Sequence, residues 1–142
     1  MGTDNSDVPV KGGQVLVLCD RTEESKAAGN AAQAELAIDK QKTDAVVIVS
    51  ATGSAAYRGG GGVNAGIVLS IFLDNKVVAH DDSFEGTASN LTFRVSASHT
   101  FYLRANHPAQ IKAKVDHYGS GSAQNEQTEV SLHVIAMAAR KP

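Results

Sequence analysis

The chain has 142 residues, of which 42% are hydrophobic and 20% charged, and its formal net charge is −2. These values are typical of a single soluble globular domain and argue against a disordered chain. The small net charge and the lack of any basic block argue against nucleic-acid binding, which depends on attraction to phosphate groups. No stretch approaches the ~20 apolar residues of a membrane helix, so membrane insertion is not expected.

Residues 1–13 are predicted to form a flexible leader. Met1–Asp7 is polar and acidic, and it lacks the basic start and the apolar run of a signal peptide. We therefore expect a soluble protein without a signal peptide. The only cysteine, Cys19, cannot form an intrachain disulfide, and its neighbours Val17 and Leu18 favour a buried, unreactive thiol.

Residues 14–43 are predicted to contain a short strand, Gln14–Cys19, and then one helix, Thr22–Lys40. Most residues of the helical segment are good helix formers, and Asp20 and Glu23 have the spacing of a capping box. Four apolar residues recur at the steps of a helical seam: Ala27, Ala31, Ala34 and Ile38. Three roles remain open for this helix, which would pack on the β domain, form the neck of a threefold bundle, or belong to a flexible stalk.

Residues 44–142 are predicted to form a mainly β domain. Segments with apolar residues at every second position recur at roughly the 8–12-residue spacing of an all-β sandwich or barrel. The last segment, Glu129–Met137, is expected to close the core with Val130, Leu132 and Val134. Ala45–Ser50 is almost continuously apolar, which is expected of a strand that is covered on both faces. The other predicted strands are Val63–Leu73, Val77–His80, Leu91–Val95, Phe101–Leu103 and Ile111–His117.

The connections between these strands carry turn-forming residues. Asp74-Asn75-Lys76 is predicted to be a tight hairpin turn, because Asn and Asp tolerate positive φ angles. Asn106-His107-Pro108 is predicted to be a second turn. Three longer polar or glycine-rich stretches are expected to be exposed loops: Ala51–Gly62, Asp81–Ser89 and Tyr118–Thr128.

No constellation in the sequence predicts catalysis or a cofactor. The glycine run Gly59–Gly62 lacks the lysine and the following helix of a phosphate-binding loop. Gly119-Ser120-Gly121-Ser122 lacks the strand-to-helix context of a hydrolase nucleophile. We therefore expect a protein that is not an enzyme, without catalytic or cofactor-binding residues.

No metal site is predicted either, since the five histidines do not have the spacing of a structural zinc site. Two weaker hypotheses involve a metal ion. His117, beside Asp116, would meet its own copies at a symmetry axis, or calcium would bind the acidic cluster of Asp81, Asp82 and Glu85. A strand-end histidine and a solvated turn are the simpler interpretations, so no metal ligand is assigned.

Five segments together resemble the jelly roll of the tumour-necrosis-factor-like family, which complement globular heads and many bacterial and phage trimer heads share. These segments are Ala45–Gly53, the glycine-rich stretch into Val63–Leu73, Asp74-Asn75-Lys76, Thr100–Ala105 with Asn106-His107, and Glu129–Met137. The resemblance covers about residues 44–138, but the aromatic-rich signature of the complement heads is missing. It implies an antiparallel jelly-roll β-sandwich, preceded here by the N-terminal strand and helix. It also implies a threefold axis near the last strand, where Val130, Leu132 and Val134 would be core or trimer-contact residues.

By this resemblance, the chain is a non-enzymatic homotrimeric structural or adhesion module, associated with a virion or phage tail or else cytoplasmic. Its partners would be its own copies and other particle proteins or a surface glycan. The candidate partner-binding residues lie on the predicted loops: Tyr57, Arg58, Asp82, Tyr118, Gln124 and Asn125. The alternative is a lectin of the same fold, with Tyr57, Tyr102 and Tyr118 stacking on sugars. An enzyme on a small cupin-like β-barrel is a third hypothesis.

Overall fold

The computed structural model describes residues 16–27, 31–120 and 124–139, without the side chains of residues 58–64, 86–91, 118–120 and 124–126. The predicted leader, residues 1–13, lies outside the described residues. The described residues form six strands: β1 (Val17–Ala27), β2 (Ala32–Ile38), β3 (Ala45–Leu73), β4 (Lys76–Leu103), β5 (Ala109–Ser120) and β6 (Gln124–Ala138). In the described part of the chain, no helix is long and apolar enough to cross a membrane.

The strands form two antiparallel sheets in a sandwich-like arrangement, because β3 and β4 are long enough to contribute to both. Sheet I contains β1, β6, residues 45–58 of β3 and residues 90–103 of β4, in that order. Sheet II contains β2, β5, residues 64–73 of β3 and residues 76–88 of β4. The outer strands β1 and β2 are linked across the sandwich where Arg21 Nη1 donates to the Ala37 carbonyl at 3.1 Å.

The tip of the long β3–β4 hairpin confirms the predicted turn. Asp74 and Asn75 have φ angles of 48° and 69°, the left-handed conformation that a two-residue hairpin turn requires. Asp74 also joins the tip to β5, since its backbone N–H donates to the Gln110 carbonyl and its Oδ1 accepts from the Gln110 N–H, both at 2.9 Å. Asn106, in the second predicted turn, has a φ of 66°.

The core lies between the sheets and is built mainly from alternate residues of β2, β3, β5, β6 and the second half of β4, as strand geometry requires. Strand β1 and the first half of β4 contribute only partly buried residues to it. Val130, Leu132 and Val134 of β6 are at most 2% exposed, so they lie in the core, which is one of the two roles predicted for them. The largest fully buried side chains come from both sheets: Ile38, Ile67, Leu69, Ile71, Ile111, Leu132, Val47, Val49, Val115 and Val134.

The helix predicted for Thr22–Lys40 is not confirmed, because the described residues of this segment form β1 and β2 instead. In β2 the burial alternates strictly: Ala32, Ala34, Leu36 and Ile38 are buried, and the residues between them are exposed. Pairing with β5 provides these backbone groups with partners, and this tertiary contact outweighs the helix propensity of an alanine-rich segment. In β1, Cys19 packs against the core, and burial raises the pKa of its thiol.

Two predicted loops also prove to be strand. The stretch Ala51–Gly62 lies within β3, and Asp81–Ser89 lies within β4, because the two stretches belong to the same long hairpin. Register irregularities fall between Arg58 and Ala65, at the glycine-rich stretch, where β3 passes from one sheet to the other. Of the predicted loop Tyr118–Thr128, residues 118–120 belong to β5 and residues 124–128 belong to β6, and residues 121–123 lie outside the described residues.

Candidate functional site

The outer face of sheet I is divided into a polar half and an apolar half. Residues that pair across neighbouring strands point to the same face of a sheet. A row is defined here as one such set of paired residues, one from each strand, running across the sheet. Next to the bend of the hairpin, the rows are polar: Lys26, Glu129, Ser54 and Arg94 in one, and Glu24, Ser131, Thr52 and Ser96 in the next. At the opposite end they are largely apolar: Asp20, Ile135, Ile48 and Thr100, and then Val17, Met137, Val46 and Tyr102.

The polar half forms an open groove of about 660 Å³. Its side chains are mainly hydroxyls and charged groups, from the four strand segments of sheet I and, through Asp81, from the first half of β4. Lys26 Nζ lies 3.6 Å from Glu129 Oε1, although both side chains are well exposed to solvent. Within the described residues, no hydrogen bond, ion pair or ring contact engages the exposed Arg94 side chain. The lining residues are Glu24, Ser25, Lys26, Thr52, Gly53, Ser54, Asp81, Thr92, Arg94, Val95, Ser96, Glu129, Val130 and Ser131.

Asp81 closes one side of this groove. It lies in the first half of β4, in sheet II, and its Oδ2 accepts a hydrogen bond from the Ser96 N–H in sheet I at 3.0 Å. Ser96 belongs to the edge of sheet I, where an unpaired backbone N–H is a template for another strand. The carboxylate therefore ties the two sheets together and occupies the position at which a foreign strand would begin to pair.

We expect Asp81→Ala to lower the free energy of unfolding by about 1–2 kcal/mol, because the Ser96 N–H loses a charged acceptor. The exposed edge should also promote self-association at high protein concentration. Asp81→Asn is the matched control, since its amide oxygen still accepts a hydrogen bond. Urea denaturation and light scattering on all three proteins test this, and equal behaviour of the alanine variant and the wild type would contradict it.

The apolar half of the face remains open to solvent. Val17, Ile48 and Tyr102 are 48%, 37% and 57% exposed, which is high for large apolar side chains. The Tyr102 hydroxyl donates to Asp44 Oδ2 at 2.5 Å, and this hydrogen bond raises the pKa of Tyr102. Asp44 Oδ1 also accepts from the Ala105 N–H at 2.7 Å, so the carboxylate holds both the tyrosine and the adjoining turn. The apolar half thus has a fixed aromatic side chain at its edge.

The structure corrects the prediction that Tyr57 faces a partner. Tyr57 is only 6% exposed, because it lies on the inner face of β3 within a strand that was predicted to be a loop. Its hydroxyl donates to the Gly66 carbonyl at 3.2 Å, and its ring contacts the rings of Phe93 and His117 edge-on, at centroid distances of 5.4 and 5.9 Å. Tyr57 is therefore a core residue and is not available for stacking on a sugar.

His117 and Asp116, which were considered as metal ligands, point to opposite faces of their strand. His117 points into the sandwich, where its Nε2 is buried and has no hydrogen-bond partner among the described residues, whereas Asp116 faces outward and lies 3.4 Å from Lys114 Nζ. His133 lies on the outer face of β6, with Nε2 2.7 Å from Asp20 Oδ1 of the neighbouring strand. Among the described residues, no group of three His, Cys, Asp or Glu side chains is close enough to hold a metal ion.

The remaining predicted partner-binding residues are only partly placed. Asp82 is exposed on the outer face of sheet II, opposite Val68 of β3. The side chains of four others lie outside the described residues: Arg58, Tyr118, Gln124 and Asn125. The division of the outer face of sheet I into two halves was not predicted. One sequence feature indicates the apolar half: the apolar run Ala45–Ser50 contains the outward-facing Val46 and Ile48 in addition to core residues.

No protein-family model matches the sequence, and no similar chain is found among curated proteins. The chain is similar to a solved structure of the infectious bursal disease virus Gx strain, at 12% identity and a TM-score of 0.42, over 92% of this chain and 40% of that one. It is also similar to dimeric latent PorU from Porphyromonas gingivalis, at 10% identity and a TM-score of 0.35, over 86% and 14%. A third similar structure is the EclA C-terminal domain, a sugar-binding protein, at 14% identity and a TM-score of 0.32, over 87% and 83%.

The chain therefore spans less than half of the viral and PorU chains that it matches. At identities and TM-scores this low, the similarities carry no argument about function or assembly. The described fold is mainly β, with two antiparallel sheets in a sandwich-like arrangement. The tumour-necrosis-factor-like family is not confirmed by these neighbours.

Proposed function

We propose that this chain is a non-enzymatic structural or binding module that assembles with copies of itself into a homotrimer. The observation that carries this proposal is the apolar half of the outer face of sheet I. Its association with a virion or phage tail, and the presentation of loops to a partner there, follow from the family resemblance of residues 44–138 alone. Two features of the structure support the proposal: the strand order and the apolar side chains that face outward from sheet I.

The strand order supports the jelly-roll assignment. Because β3 and β4 each contribute to both sheets, the described part of the chain has eight strand segments, and each sheet contains four of them. In sheet I the first strand, β1, pairs with the last, β6, and in sheet II β2 pairs with β5. The central β3–β4 hairpin is thus flanked in each sheet by a pair that joins an early strand to a late one. This arrangement is typical of the jelly roll, an architecture that occurs in viral capsid and lectin domains.

Apolar side chains that face outward, exposed or half-buried in the single chain, support self-association. Ile48, Ile135 and Met137 occupy outward positions at which an isolated sheet normally presents polar residues. Fully burying one such side chain contributes about 1.5–3 kcal/mol, so covering several of them favours association. Tyr102, held by Asp44, adds a rigid aromatic anchor of the kind that dominates protein interfaces. The nearly continuous apolar run of Ala45–Ser50 is explained if the second face of this strand is covered by another subunit.

The test is the solution mass of the chain with and without a charge in the apolar half. We expect the wild type to have about three times the 14.8 kDa mass of the chain, and Ile48→Glu to dissociate it, since an interface would bury the new carboxylate without a partner. Val77→Glu is the matched control, because Val77 is also exposed, at 54%, but lies beside the hairpin tip in sheet II.

Light scattering behind a size-exclusion column, at two concentrations, gives the three masses. A monomeric wild type at the higher concentration would contradict the proposal. A trimer that persists in Ile48→Glu would show that another surface holds the subunits together, and it would refute the assignment of the apolar half.

A further inference from the structure

The groove in the polar half of sheet I has a composition that points to a particular class of ligand. Hydroxyl residues from four strand segments line it: Ser25, Thr52, Ser54, Thr92, Ser96 and Ser131. A hydroxyl both donates and accepts hydrogen bonds, whereas a guanidinium only donates and a carboxylate only accepts. All three kinds of group face the same groove, so it can satisfy a ligand whose polar groups are themselves donors and acceptors.

The charges of the groove nearly cancel, and this disfavours an ionic ligand. Two of its charged side chains are paired with each other, Lys26 with Glu129. Asp81 already accepts the Ser96 N–H. Glu24 on β1 and Arg94 on β4 remain, at the two edge strands of sheet I. An anion would meet three carboxylates in the groove and a cation would meet Arg94 and Lys26, so neither would be held strongly.

The dimensions favour a ligand longer than one sugar ring. Neighbouring strands lie ~4.8 Å apart, so β1 and β4, with two strands between them, are separated by about 14 Å. The groove volume of about 660 Å³ falls within the ~300–1,000 Å³ range of small-molecule sites. An extended peptide that adds to the edge of sheet I is a poor alternative, because Asp81 occupies the edge at Ser96.

We propose that this groove binds a neutral saccharide of at least two rings. Arg94 donates to vicinal hydroxyls at one end, Glu24 accepts from hydroxyls at the other, and the Ser and Thr hydroxyls contact the rings between them. Among the described residues, no aromatic ring lines the groove, so a single groove binds weakly. The groove lies at the opposite end of the face from the apolar half, and its ligand is independent of the proposed trimer. If the chain is trimeric, three grooves bind a multivalent glycan more tightly than one.

The experiment is a titration of isotopically labelled protein with maltose, lactose, N,N′-diacetylchitobiose and mannobiose, followed by amide chemical shifts. Glucose 6-phosphate and glucosamine serve as an anionic and a cationic probe. We expect at least one neutral disaccharide to give saturable shifts in residues 52–54, 92–96 and 129–131 at millimolar concentrations. Arg94→Ala should weaken this binding about tenfold, the loss expected for one charge-assisted hydrogen bond.

Two further variants make the outcome specific. Glu24→Gln keeps the shape of the side chain and should also weaken binding, whereas Arg104→Ala removes an exposed arginine outside the groove and should leave binding unchanged. Absence of saturable groove shifts with every disaccharide overturns the proposal, as does Arg94-dependent binding of glucose 6-phosphate alone, which indicates an anion site. The mass of each sample, measured in parallel, separates a failure of saccharide binding from a failure of trimer formation.

Discussion

Replacing Gly53 with alanine should lower the free energy of unfolding by about 1–3 kcal/mol, the usual cost of inserting atoms into a well-packed core. Gly53 lies on the inner face of β3, where the two sheets approach each other. A β-carbon there would overlap Cγ2 of Val115, across the sandwich in β5, and would lie 3.2 Å from Cγ2 of Val95. Both obstacles are branched side chains fixed in the core. Urea denaturation followed by circular dichroism measures the loss.

The companion variant Val115→Ala shows whether this overlap is the cause. In the double variant Gly53→Ala/Val115→Ala, the new methyl group occupies the space that the valine leaves. We therefore expect the double variant to lose less stability than the sum of the single losses, by about 0.5–3 kcal/mol, as for other contacting pairs. Ser54→Ala, on the outer face, should change stability by less than about 0.5 kcal/mol. An alanine variant as stable as the wild type would show that the sheets are farther apart at Gly53.

The parts of the fold that follow from local chemistry could be predicted from the sequence. The turn at Asp74 and Asn75 needs residues that tolerate positive φ angles, and Asp and Asn are residue types that do so. The local sequence is therefore enough to predict this turn. The strand β6 is visible because Val130, Leu132 and Val134 alternate with polar residues, and only one face of this strand is buried. In both cases, the residue types within a few positions of each other are enough to predict the local structure.

The segment around β1 and β2 was predicted wrongly because two periodicities overlap in it. Ala27, Ala31, Ala34 and Ile38 satisfy a helical seam, but Ala32, Ala34, Leu36 and Ile38 satisfy a strand equally well. Alanine has a strong helix propensity and is small enough for either structure. The outcome depends on pairing with β5 and β6, which lie more than 70 residues away along the chain.

The candidate sites of the outer face could not be predicted, because sequence order does not show which residues share a row. Lys26, Arg94 and Glu129 belong to three strands and are brought together only by the register of sheet I. The polar stretches that line the groove resembled loops, since a strand with small polar residues on its outer face has weak hydrophobic alternation. The long β3–β4 hairpin provides the backbone pairing that makes these stretches regular.

Replacing Leu132 with alanine should have the larger effect on stability, a loss of about 2–5 kcal/mol, because it removes a fully buried side chain and leaves a cavity. Leu132 is 0% exposed within one chain and lies in β6, between β1 and β3. The sequence left two roles open for it, core or trimer contact, and these predict different responses to protein concentration. A core residue stabilises each subunit by itself, so the loss should be the same at low and high concentration.

Ile135 provides the matched comparison, since it belongs to the same strand but to the outer, apolar face. If that face holds the trimer together, Ile135→Ala weakens a concentration-dependent equilibrium, and its effect on the denaturation midpoint grows as the protein is concentrated. We therefore expect a large, constant loss for Leu132→Ala and a small, concentration-dependent loss for Ile135→Ala. A concentration-dependent loss for Leu132 instead would mean that the β6 core opens toward a second subunit. Constant losses for both would exclude the apolar face as the interface.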